Sequence, residues 1–170
     1  MEHLATPQEI VKLGRPIGKV DHEKLTAYIT EAEQLYIKPI LGTSLFLRLI
    51  SDEKKDEKTL TLLNGGVYND SNGDVQSLVG LKVTLSYYVY AQNVMSGDFQ
   101  STRYGMTVKS DDYSSHLSSK ERSDCYNNTM EIANSYIREC VSYCKAVGLI
   151  QQSGTPTASF GGITIRKIGK

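Results

Sequence analysis

Apolar residues recur along most of this chain at helical spacing. Leu25, Ile29, Ala32 and Tyr36 are separated by four, three and four residues, one face of a helix over "HEKLTAYITEAEQLYIK", residues 22–38. Asp21 stands where a cap belongs. Glu23, Lys24, Glu31 and Glu33 are expected to face water. Pro39 is expected to break or kink the chain, because Lys38 before it is pushed away from helical geometry. A shorter helix precedes this one in "ATPQEIVKLG": Thr6 caps it, Pro7 suits its first turn, and Glu9 completes a capping box. Gly14 and Pro16 stop it. "TSLFLRLIS" follows Pro39, with Leu45, Phe46 and Leu49 as its buried side. "DEKKDEK" is a solvated charge run, and "TLTLLNGG" a short helix or turn stopped by Gly65 and Gly66.

The centre of the chain is apolar on two sides. From about Val75 to Met95, Leu78, Leu81, Leu85 and Tyr88 make one stripe and Val83, Tyr87, Tyr90 and Val94 another. A helix with two such stripes is packed on two sides and is the central helix of its domain. A last long helix is expected from Lys120 to Val147, capped by Ser118 or Ser119. Its seam is Tyr126, Met130, Ala133, Ile137, Cys140, Cys144 and Val147.

Between these lie stretches ruled by turn formers. "GGVYNDSNGD" is a loop by local composition. Asp70, Asn72 and Asp74 match the first positions of a calcium loop, but Val75 stands where its glycine belongs and Leu81 where its glutamate belongs. "DFQSTRYGMTVKSDDYSS" is too long for a tight helix connection; "RYGMTVK" within it is a short strand or an extended arm. After Gly148, "QQSGTPTAS" has linker composition, and "GGITIRKIG" alternates as a strand. Such a strand is not stable alone. It is expected to pair with a partner chain, a neighbouring copy or the 103–109 segment, unless the terminus is disordered.

Composition narrows the function classes. In 170 residues, 19 Lys and Arg balance 19 Asp and Glu, which disfavours a dedicated nucleic-acid binder. No secretion signal is visible at "MEHLATPQEI", and the best apolar stretch carries Lys82, Ser86, Gln92 and Asn93, so no membrane span is expected. The cysteines are three, Cys125, Cys140 and Cys144, which argues against a disulfide framework. Cys140 and Cys144 share a helix face, either as half of a metal site or as two small core residues; the core is preferred. The chain has no nucleophile elbow, phosphate-binding loop, HExxH or CxxC. No catalytic residue, metal ligand or cofactor is assigned, and an enzyme is not expected.

Four segments in order resemble a known family: "EAEQLYIKPILGTSLFLRLI", "LLNGGVYNDSNG", "GLKVTLSYYVYAQNVMSGDFQSTRYGMTVKSDDYS" and "SSKERSDCYNNTMEIANSYI". Together they resemble the small helical head-tail connector proteins of tailed phages, in particular the ring or head-completion proteins of crAss-like phages, over roughly residues 20 to 145. The resemblance implies a structural virion protein without a catalytic site, located at the head–tail junction and assembled in the host cytoplasm. About a dozen copies would form a ring below the portal protein. The ring would extend the DNA channel, pass DNA without sequence-specific binding, and dock the tail or a second ring protein.

The expected fold is mainly α: about four to five helices around a buried central helix, with an extended loop or short β element and a C-terminal strand-like arm. Residues 1–148 form the helical domain and 149–170 the linker and arm. Candidate partner contacts are Arg103, Tyr104 and Met106 on the loop, and Phe160, Ile163, Ile165, Arg166 and Ile168 on the arm. A tail-completion or terminator subunit, and a cytoplasmic helical adaptor outside the virion, are the competing readings.

Overall fold

The computed structural model describes residues 2–18, 21–51, 55–96, 99–103, 105–108, 118–150, 158–160 and 163–165, and the fold is mainly α. Its helices are α1 (Pro7–Leu13), α2 (His22–Ala32), α3 (Lys38–Leu41), α4 (Thr43–Ile50), α5 (Glu57–Asn64), α6 (Leu81–Ser96) and α7 (Ser119–Ala146). Three antiparallel hairpins interrupt or follow them: β1 (Gly66–Asn69) with β2 (Val75–Leu78), β3 (Phe99–Thr102) with β4 (Gly105–Val108), and β5 (Ala158–Phe160) with β6 (Ile163–Ile165). Helix α6 is the hub, packed against α1, α2, α5 and α7. Leu81, Leu85, Tyr88 and Val89 are fully buried on it, while Val83, Tyr87, Tyr90 and Val94 are half-buried. Two apolar sides therefore do mean two packed sides, the first more deeply than the second.

The starts of α1, α2 and α7 follow the expected caps, whereas α4 starts after Gly42 with no side-chain cap. Glu9 N donates to Thr6 Oγ1 at 3.3 Å while Thr6 N donates to the Glu9 carboxylate at 2.8 Å. Ser118 and Glu121 form the same box at the start of α7. Asp56 caps α5, accepting from Thr59 N at 3.0 Å. Four carboxyls in such caps and turns lie below the ordinary range. Glu9 is lowered chiefly by the Lys82 ammonium bonded to it, Asp56 by the Thr59 hydroxyl, Asp70 by the Asn72 N–H, and Glu121 by the Ser118 hydroxyl. A carboxyl depressed in the folded state stabilises the fold above its unfolded value and loses that contribution as pH falls through its folded one. The urea midpoint is therefore expected to fall steadily below about pH 4.5. A midpoint flat down to about pH 3 would show that these caps contribute nothing.

Three expectations need correction. Pro39 does not break the chain. A π turn over Glu33–Ile37 joins α2 to α3, with Lys38 N bonded to Glu33 O, and the helix runs on to Leu41. Proline lacks an N–H, and its ring crowds the carbonyl four residues back. A widened turn immediately before it relieves both, and Gly42, at φ 82°, then ends the helix. The same extra residue turns Glu33 inward. Its side chain is buried, taking Leu4 N on Oε1 at 2.7 Å and His3 Nδ1 on Oε2 at 2.9 Å, and so pins the N-terminal segment to the helix.

The second correction concerns residues 66–78, expected as a loop followed by helix. They form the β1–β2 hairpin, and α6 begins only at Leu81. The Asp70 carboxylate accepts from Asn72 N at 2.8 Å and Asp74 N at 3.0 Å, closing the turn with the residues that looked like a calcium loop. Gly65 and Gly80, at φ 86° and 97°, close the base of the hairpin. The third concerns the tail. β6 pairs with Ala158–Phe160 of its own chain, so part of the expected linker is a strand. The helical body also runs past residue 148: Leu149 N bonds Cys144 O at 2.8 Å, and Leu149 and Ile150 pack on the core.

Candidate interaction surface

The polar groups of the body are largely engaged with one another. Arg15, after α1, reaches α7 with one guanidinium nitrogen 3.1 Å from Thr129 Oγ1 and another 2.6 Å from Asn128 Oδ1. Its charged centre lies 5.9 Å and 5.8 Å from the ring centroids of Tyr87 and Tyr90 on α6. One side chain thus clasps three elements. Tyr88 O–H donates to Asn134 Oδ1 at 2.9 Å, Thr84 O–H to Gly80 O at 2.8 Å, and Ser86 O–H to Val83 O at 2.6 Å. Among the described residues, every buried side-chain nitrogen and oxygen has a partner.

Cys140 and Cys144 lie in the core, their thiols pushed up to about 12 by burial, so at neutral pH neither is a thiolate. Their shared face is the seam of α7 against α6. Among the described residues no three His, Cys, Asp or Glu side chains come together as a metal site. No described helix is long and apolar enough to cross a membrane.

The described residues among the expected partner contacts lie on hairpins. Arg103 stands exposed in the turn joining β3 to β4, and Met106 lies in β4 opposite Ser101. Phe160 is opposite Ile163 and Ile165 opposite Ala158 in the last hairpin. The expected loop and arm residues therefore belong to two separate ribbons. Tyr104, Arg166 and Ile168 lie outside the described residues.

The β1–β2 ribbon was not anticipated as a surface. Its inner face packs Tyr68 edge-on against Tyr143 of α7, ring centroids 4.9 Å apart. Its outer face carries Val67 and Val75, 70% and 71% exposed. An open groove of about 580 Å³ runs between this hairpin and α7, with Asp70 and Gln76 on one wall and Arg138, Glu139 and Lys145 on the other. The signal was present in the sequence. "DSNGD" is a turn signature flanked by "GVYN" and "VQSL", each short enough for a strand.

None of the six strands contains a charged residue or a proline. Natural edge strands are usually defended by such residues, because an unpaired row of N–H and C=O groups recruits other strands. Among the described residues each ribbon has two strands, so each of the six has an outer edge that no described strand covers.

A family model described as a family of unknown function, DUF6712, matches residues 37–148. The match runs from the end of the π turn to just past α7 and leaves out α1, α2 and the β5–β6 hairpin. No curated protein and no solved structure matches the chain.

Proposed function

For a chain that belongs to DUF6712, a family of unknown function, we propose the role of a structural virion subunit, a connector at the head–tail junction of a tailed phage. Copies of it assemble into a ring of about twelve below the portal protein, extend the DNA channel and dock the tail or a second ring protein. The sequence resemblance set out above is the origin of this reading. The observation that supports it best is the pairing of one well-packed helical body with three two-stranded ribbons whose strands carry no charge. A ring subunit needs a stiff wedge and adaptable main-chain contacts to unlike neighbours, because a cyclic interface is head-to-tail and uses two different faces.

In this reading the ribbon bearing Arg103, Tyr104 and Met106, and the arm bearing Phe160, Ile163, Ile165, Arg166 and Ile168, are contacts with other chains. The subunit needs no cofactor and performs no catalysis. It assembles in the host cytoplasm, and DNA passes through it without sequence-specific contact.

The test is electron cryomicroscopy of the purified protein mixed with the portal protein of the same genome. A symmetric ring stacked on the portal is expected. A monomer that ignores the portal overturns the reading and favours a cytoplasmic adaptor; a ring that binds only completed tails favours the tail-completion role. Within a ring-forming system, a chain truncated after Gln152, and separately Arg103→Ala with Tyr104→Ala, are expected to lose assembly or docking. Normal assembly by either variant removes that segment from the interface.

A further inference from the structure

We infer that the outer edge of β1 receives the C-terminal strand β6 of a second copy of this chain, in parallel register. The inference rests on the assembly reading above and names the contact that reading leaves open.

The edge is built for it. Asp70 N bonds Asp74 O at 2.9 Å, which makes residues 70 and 74 a hydrogen-bonded pair in register with the hairpin. In an antiparallel ladder bonded and non-bonded pairs alternate. Tyr68 with Gln76 and Gly66 with Leu78 are therefore bonded pairs, and the N–H and C=O of Val67 and Asn69 point away from β2. Two outward donors and two outward acceptors stand on a strand with no charge, no proline and an exposed valine at its centre. Gly66, Val67 and Asn69 are exposed, and among the described residues β2 is the strand that pairs with β1, which leaves its other edge open.

The occupant follows from charge. Residues 149–170 contain Arg166, Lys167 and Lys170 and no acidic residue. Removing these three from the 19 basic residues leaves residues 1–148 with a net charge of −3. The tail is thus the basic partner of an acidic body of the same chain. The two signs also meet locally. β1 runs directly into the Asp70–Asp74 turn, and β6 runs directly into Arg166 and Lys167. A parallel alignment sets the basic pair beside the acidic turn, whereas an antiparallel one carries it to the other end. The resulting sheet has the order β5, β6, β1, β2. It converts two marginal two-stranded ribbons into one four-stranded sheet.

The test uses the full chain, alone and on the portal, with sedimentation velocity and oxidative cross-linking. Val67→Pro removes an outward N–H that β2 does not use, so the hairpin survives while the edge is blocked. It is expected to weaken self-association by roughly tenfold or more, with an unchanged far-ultraviolet spectrum. Arg166→Glu with Lys167→Glu, which leaves the body untouched, is expected to weaken it similarly, and adding Asp74→Lys to restore it in part. Val67→Cys with Thr164→Cys is expected to give disulfide-linked oligomers that neither single variant gives. A cross-linked monomer instead places the strand on its own hairpin and overturns the proposal. Wild-type assembly that is unaffected by Val67→Pro and gives no cross-link overturns the strand pairing but leaves the connector reading standing. A chain that stays monomeric alone and on the portal overturns both.

Discussion

Gly80→Ala is expected to cost about 4 kcal/mol or more of folding stability, against about 1 kcal/mol for Gly73→Ala. The two glycines have nearly the same backbone, φ 97° and φ 88°. A side chain pays the left-handed strain at both. The difference is what surrounds them. A Cβ at Gly80 would collide with the backbone nitrogen of Gly65 and lie 2.7 Å from the carbonyl carbon of Asn64, whereas one at Gly73 meets nothing within 4 Å. The atoms in the way are backbone and cannot rotate aside. Gly65 answers in kind: a Cβ there would lie 2.5 Å from Val79 O and 2.6 Å from Leu78 O. These two glycines allow the end of α5 and the start of α6 to touch at the hairpin base. Urea unfolding of the two variants measures the contrast. Equal losses would mean that the base of the hairpin relaxes freely, and that the ribbon is loosely joined to the body.

The same two glycines explain why this region was hard to read from sequence. Gly65 and Gly66 are visible as a helix stop, and the helix on either side has the right period. But Leu78 lies three residues before Leu81, so a helical stripe extends back through the strand without interruption. The hairpin is decided by the collision-free approach of Gly65 to Gly80, a tertiary fact that periodicity does not carry. The π turn is similar. Pro39 announces that something must give, yet a break and a widened turn satisfy the missing N–H equally well. Only the burial of Glu33 against His3 and Leu4 distinguishes them.

By contrast, α1 and α7 were legible because local signals decide them, a cap at the start and a glycine just past the end, while α4 was legible from its apolar stripe alone. For the candidate interaction surface, Arg103 in an exposed turn and the 163–165 strand were legible from composition and alternation. The Arg15 clasp was not, since Asn128 and Thr129 are more than a hundred residues away in the chain. The open edge of β1 was not, because a strand must be placed before its edge exists.

Tyr88→Ala is expected to cost about 3–5 kcal/mol, and Tyr88→Phe about 1 kcal/mol. Tyr88 is fully buried at the centre of α6. Its ring stacks on Tyr36 with centroids 4.6 Å apart and planes 9° from parallel, joining the π turn to the hub helix. Alanine removes that ring and leaves a cavity between α6, α7 and the π turn. Phenylalanine keeps the ring and loses only the hydroxyl bond to Asn134, which is half-buried and retains access to water. The pair also sets an alkaline limit. Burial pushes both Tyr36 and Tyr88 up to about 12. A phenol raised in the folded state contributes stability that is complete below its unfolded value of about 10 and is lost as pH rises toward its folded one. Wild-type stability is therefore expected to fall between about pH 10 and pH 12, and the fall to be shallower in Tyr88→Phe, which has one fewer such phenol. Urea midpoints across that range decide the matter. A phenylalanine variant as unstable as the alanine variant would place the stabilisation in the hydroxyl bond instead of the stack, and an unaltered alkaline slope would mean that Tyr88 reaches water before the fold opens.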